Sequence, residues 1–168
     1  MSLYHERSAI VSDDELYRYL LTRGTPARDF ILWIMLNPSV ADDIIDDPTI
    51  KKVCGFSERW KFSYLKVVNL FALRSTDPRN LLLHANPEGP DNDRHLQEQI
   101  RDAHTIICAW GNHGILRDRD LAVRQMIADA GKTPSCLKLN KELAPGRRAP
   151  QHPLYIPYET SPFAWPRS

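Results

Sequence analysis

The chain has little cysteine, little glycine, no long apolar run and no surplus of charge of one sign. Three cysteines among 168 residues, Cys54, Cys108 and Cys136, form no close pair. Such an odd, scattered set excludes a disulfide framework and a zinc cluster. Seven glycines include no Walker loop, no G-x-S-x-G elbow and no dinucleotide-binding fingerprint. The single Gly-x-x-Gly, Gly111 to Gly114, is too short a signal to name a cofactor, and none is expected. No apolar stretch approaches the roughly 20 residues of a membrane helix, and the start lacks the basic, apolar and small-residue regions of a signal peptide. No membrane partner is therefore expected, and a cytoplasmic protein is. Lys plus Arg number 22 and Asp plus Glu 21. A formal charge of +1 gives no global field for a polyanion, so any nucleic-acid contact must use a local patch.

What is present is the pattern of one α/β domain spanning residues 1–168. Ser8 to Leu21 reads as two short strands joined at Ser12-Asp13-Asp14. Phe30 to Leu36 and Tyr64 to Leu70 are continuous apolar runs of strand length, as expected for strands covered on both faces. Thr105 to Trp110 is a third such run, and Ser135 to Leu139 a fourth. Between them, Asp47 and Pro48 make a helix start, followed by Ile50, Val53, Cys54 and Trp60 at helical spacing. Thr76-Asp77-Pro78 opens a short helix through Leu83. Asp91-Asn92-Asp93 caps another, with Leu96, Ile100 and Ala103 on one face. Leu121 to Ala130 is a helix stopped by Gly131. Strands alternating with helices imply crossover connections and a mainly parallel sheet, with antiparallel N-terminal strands at its edge. Residues 144–168, with six of the 13 prolines, read as a tail wrapping the surface.

Ligands of open α/β sheets bind outside the carboxyl ends of the strands. The residues there are Asn37-Pro38-Ser39, Asn69 with Phe71 and Arg74, Trp110-Gly111-Asn112-His113-Gly114, and Asn140-Lys141, with His152 in the tail. Asn37 and Asn112 are also residues that make turns. Asn69 is harder to explain by turn formation. It puts an amide inside the run Val67-Val68-Asn69-Leu70-Phe71, where an unbonded amide costs roughly 1–3 kcal/mol. It must bond neighbouring backbone or a ligand. Asp42, Asp43, Asp46 and Asp47 form an acidic cluster. With His113 they suggest a metal-dependent hydrolase, but the spacing fits no EF-hand loop and Asp47 has a capping role, so a solvated helix-starting loop is the expectation and no metal is assigned.

The segments Ile34-Met35-Leu36-Asn37-Pro38-Ser39-Val40-Ala41-Asp42, Asp47-Pro48-Thr49, Val68-Asn69-Leu70-Phe71-Ala72, Gly89-Pro90-Asp91-Asn92-Asp93, Ala109-Trp110-Gly111 and His152-Pro153-Leu154-Tyr155 resemble those of an uncharacterised bacterial family, domain of unknown function 1643. The order of motifs is more distantly similar to that of the uracil-DNA glycosylase superfamily. That resemblance implies a three-layer α/β/α sandwich. It gives Asn37 the placing of a water, as in a Gly-Ile-Asn-Pro-Gly motif, and Asn69 the reading of a base. Trp110-Gly111 matches a Trp-Gly after an apolar strand. His152-Pro153 matches a loop that meets the leaving base and the DNA. The His-Pro pair continues here with Leu154-Tyr155 instead of Ser-Pro, and the first motif lacks the Asp of the strongest uracil enzymes.

Cleaving an N-glycosidic bond builds positive charge on the sugar and negative charge on the base. A preorganised donor on that negative charge is worth roughly 3–4 kcal/mol. His152 and Asn69 are the candidates, with Asp42 or Asp47 assisting a water held by Asn37. Arg74, Lys141, Arg147 and Arg148 are placed to meet phosphates, and from Lys132 onward six Lys or Arg face two Asp or Glu. The expected partner is a nucleic acid or nucleotide. A second expectation is a module that binds the same ligand without chemistry.

Overall fold

A computed structural model describes residues 4–39 and 45–166. The expected N-terminal pair is a hairpin, β1 (Arg7–Val11) and β2 (Arg18–Gly24). β3 (Ile31–Met35), β4 (Tyr64–Asn69) and β5 (Thr105–Cys108) are the three apolar runs. They lie side by side and parallel, with β3 in the middle. The helices are α1 (Pro48–Arg59), α2 (Asn80–Leu83), α3 (Asn92–Asp102) and α4 (Arg119–Asp129). Asp47 caps α1 as its sequence requires, its carboxylate accepting from the Ile50 N–H at 2.8 Å with Pro48 in the first turn. Such a cap contributes about 1 kcal/mol.

Side chains alternate along each strand, so a run covered on both faces feeds two cores. In β3, Leu32 and Ile34 join one cluster with Leu96 and Ile100 of α3 and Val123 and Ile127 of α4. Ile31, Trp33 and Met35 join the other, with Ile50, Val53 and Phe56 of α1. Burying each such side chain contributes about 1.5–3 kcal/mol.

The sheet is mixed, not mainly parallel. Its seven strands run β1-β2-β4-β3-β5-β6-β9, where β6 is Ser135–Cys136 and β9 is Phe163–Ala164. Parallel pairing holds from β4 through β3 and β5 to β6, and antiparallel pairing takes over at both edges. The β1–β2 hairpin turns back on itself and then pairs with β4 rather than β3, which no local pattern announces. The expected strand Ser135–Leu139 is also divided. Only its first two residues join the sheet, while Leu139 opens β7 (Leu139–Ala144), paired with β8 (Arg147–Pro150). Residues 144–150 are thus half of a hairpin instead of a tail. Its turn is Pro145-Gly146, with Gly146 at φ +72°, the backbone that a Pro-Gly turn of type II demands.

One buried polar contact ties α1 to the sheet. Trp33 donates from Nε1 to the Ser57 hydroxyl at 3.0 Å, and that hydroxyl donates to the Val53 carbonyl at 2.8 Å. Ser57→Ala strands the indole N–H in a fully buried site. Urea unfolding should show a loss of about 1–3 kcal/mol; unchanged stability would contradict this packing.

Candidate functional site

The carboxyl ends of β3, β4 and β5 open into a cleft of about 750 Å³. Asn37, Pro38 and Ser39 follow β3, Asn69 ends β4, and Trp110, Gly111 and His113 follow β5; all line it. His152 reaches it from beyond the β7–β8 hairpin, and Asp47 from the start of α1. Distant parts of the chain thus meet here because parallel strands deliver their ends to one edge of the sheet.

Asn69 is 3% exposed and lines the cleft. Among the described residues its side-chain amide makes no hydrogen bond, although its backbone carbonyl accepts one from Asn92 at 2.9 Å. The amide therefore faces the cleft with one acceptor and two donors unused.

Asn37 is different. Its Nδ2 donates to the carbonyls of Ser75, Leu73 and Pro38 at 2.8, 3.3 and 3.2 Å. Three carbonyls around one group fix which end of the amide is nitrogen. Asn37 thus pins the loop after β3 to residues 73–75, and only Oδ1 is left for a ligand or water. Asp47 is similarly engaged: besides its cap bond, Oδ2 accepts from the Ser39 hydroxyl at 3.0 Å.

His152 caps the short 3₁₀ turn Pro153–Tyr155, its Nδ1 accepting from the Leu154 N–H at 3.4 Å. In a neutral ring the proton then sits on Nε2, the donor that this residue can offer. Burial pushes the imidazole below its ordinary pKa, while the nearby Asp47 carboxylate pulls weakly the other way. Gly111 stands beside it at φ +77°, its N–H bonding the Pro150 carbonyl at 2.9 Å. That bond locks the residues after β5 to the last residue of β8, two positions before His152.

Other expected residues fall elsewhere. Phe71 is fully buried in the core and Arg74 donates to the Glu15 carbonyl at 3.3 Å; neither lines the cleft. Lys141 is exposed outside it, whereas Asn140, one position earlier in β7, lines it and bonds Asn112 at 2.8 Å. A slip of one residue in a strand reverses the face. Trp110 touches the cleft, but its indole belongs to the core and packs on Trp165 at 5.8 Å. Its neighbour Gly114 is obligatory, because a methyl there would overlap the Trp110 ring. His113 sits exposed at the rim.

In the acidic cluster, Asp42 and Asp43 lie outside the described residues. Asp46 is taken by arginine, at 2.9 Å from Arg23 and 3.3 Å from Arg7. Among the described residues no group of three or more His, Cys, Asp or Glu is placed to hold a metal ion. Burial pushes the Cys54 thiol up to about 12 and Cys136 to about 11 and raises Cys108 too, so none is a ready nucleophile. No helix among the described residues is long and apolar enough to cross a membrane.

Several lining residues were not anticipated, Arg18 and Tyr155 among them. Arg18 is a buried arginine at the start of β2, and Tyr155 stands 87% exposed on the turn after His152. Arg18 carried the same signal as Asn69, a polar group inside the apolar run Leu16 to Leu21. Tyr155 carried none, since exposure of a ring cannot be read from sequence.

Fold and site together define a mixed α/β protein with a cleft across the ends of parallel strands, lined mainly by uncharged side chains. Residues 18–154 match the family described as "Protein of unknown function (DUF1643)", and the chain belongs to that family. No curated protein and no solved structure matches it.

Because His152 is held neutral by burial, its folded pKa lies below that of the unfolded chain. The unfolded state then binds more protons as pH falls below about 6.5, and stability drops until the folded ring itself titrates. Proton NMR should place the His152 midpoint below 6.5, and His152→Gln should remove part of the acid-side loss. A midpoint above 6.5 would overturn this reading.

Proposed function

We propose that the cleft takes a nucleobase, of a nucleic acid or nucleotide, and that the protein hydrolyses its N-glycosidic bond. The observation that carries this reading is the Asn69 amide, buried with its donors and acceptor unused and turned to the cleft. A flat ring with alternating donors and acceptors is the ligand such an amide fits. The cleft is of the size that small-molecule sites have. Tyr155 at its rim offers a face for stacking, worth about 1–3 kcal/mol per base.

In this reading water adds to the sugar carbon as the carbon–nitrogen bond breaks, and the bonding pair leaves with the base. His152, neutral and protonated on Nε2, stabilises that negative charge by donating a hydrogen bond to the base while keeping its proton. The Asp47 carboxylate is the described group able to accept the water's proton, with Asn37 Oδ1 and the Ser39 hydroxyl able to place the water. A base in a duplex must first be turned out, at a cost of a few kcal/mol.

A second reading, binding without chemistry, is favoured by one feature: the Asn37 NH₂ and both Asp47 oxygens are already engaged. The two readings part in one experiment. Oligonucleotides, single- and double-stranded, carrying uracil and other altered bases, and free nucleosides and nucleotides, are incubated with the protein and released base is measured. Release should occur, and fall roughly 10²–10³-fold in His152→Gln and in Asn69→Ala. Binding that Asn69→Ala abolishes, with no base released from any substrate where a control glycosylase works, leaves the second reading and removes the first.

A further inference from the structure

The segment Gly89-Pro90-Asp91-Asn92-Asp93 has no part in the chemistry above, yet it touches the end of β4. Pairing between β2 and β4 runs from Gly24–Tyr64 to Leu21–Val67 and stops before Asn69. Beyond that point the carbonyls of Asn69 and Leu70 are bonded by side chains. Asn92, wholly buried in the first turn of α3, donates from Nδ2 to Asn69 O at 2.9 Å and Leu70 O at 3.2 Å. Arg119 adds a bond from Nε to Leu70 O at 2.7 Å and is ion-paired to Asp93.

The segment is itself fixed in place. Gly89, at φ +90°, packs against Tyr17, Tyr19 and Ala72, where a Cβ would be crowded. Ala72 and Leu73 donate their N–H groups to the carbonyls of Glu88 and Pro87 at 3.0 and 3.1 Å. The Asn92 Oδ1, in contrast, is buried with no partner among the described residues. A side chain that only filled space would not bring an unbonded buried acceptor with it. The amide is present for its donor.

We infer that Asn92 is a positioning residue. By holding the two carbonyls at the exit of β4 it sets the backbone that aims the Asn69 amide into the cleft, and the Asp93–Arg119 pair braces the same point. Its functional meaning rests on Asn69 receiving the base, but its geometry can be tested without any ligand.

The Asn69 side-chain NH₂ pair is observed in ¹⁵N-labelled protein and assigned by its loss in Asn69→Ala. Asn92→Leu keeps the branched outline and the number of heavy atoms, with bulkier methyl groups, and removes the donor. It should shift or broaden that pair, and Asp93→Asn should shift it less and in the same direction. Ser57→Ala, a destabilising change within α1, should leave it in place. Uridine and cytidine affinity, by calorimetry, should fall at least tenfold in Asn92→Leu and stay within twofold in Ser57→Ala. An unmoved Asn69 pair in Asn92→Leu, or equal movement in Ser57→Ala, overturns the inference. If Asn92→Leu does not fold, Asp93→Asn decides alone, an unmoved pair again overturning it. If the unmutated protein binds neither nucleoside, those ligands are removed from the base reading, and the NMR comparison still decides the role of Asn92.

Discussion

Where β3 and β4 run out, a sheet covered on both faces leaves carbonyl groups with no strand beside them. Each must find a donor or cost about 1–3 kcal/mol. Here several of the donors are polar side chains. Asn37 serves the carbonyls of Pro38, Leu73 and Ser75, Asn92 those of Asn69 and Leu70, and Arg119 that of Leu70 again. The cleft opens at this end of the sheet, beside Asn37, Asn69 and Ser75. Its rim keeps its shape because side chains bond the backbone around it.

That view separates two kinds of polar residue that look alike in sequence. Asn37 and Asn92 act for the backbone, whereas Asn69 sits among them with its amide uncommitted. The charges show a similar division. Arg23 is matched to Asp46, Arg119 to Asp93 and Arg147 to Asp118 and Asp120. The basic residues after Lys132 therefore form less of a phosphate-binding surface than their number suggests, and the neutral amides and the aromatic rim give the cleft its character. A ligand held there is better matched by ring edges and faces than by net charge.

Much of this was legible beforehand. The apolar runs Phe30–Leu36, Tyr64–Leu70 and Thr105–Trp110 could hardly be other than buried strands, and Asp47-Pro48 could hardly be other than a helix start. Asn69 stood out because an amide in such a run must be explained. The Pro145-Gly146 turn was also written in the sequence, but a proline-rich stretch reads first as an extended tail. Of the pair Asn140-Lys141 only Asn140 lines the cleft, because neighbours in a strand point to opposite faces. Phe71, two positions after Asn69, would share its face if the strand continued, but β4 ends at Asn69 and Phe71 turns into the core with Leu70.

The sequence by itself determined which segments are buried strands and helices, where α1 begins, and that polar groups terminate the apolar runs. Those are local properties: side-chain periodicity, capping and the cost of an unbonded amide act within a few residues. Only the tertiary structure decided that β2 pairs with β4, that the edges run antiparallel, that residues 139–150 fold back as a hairpin, and that Asn92 holds the turn presenting Asn69. Apolar strands are nearly interchangeable partners for one another. Their order, and with it which amide is consumed by backbone and which is left facing a cleft, is settled only when the whole core packs.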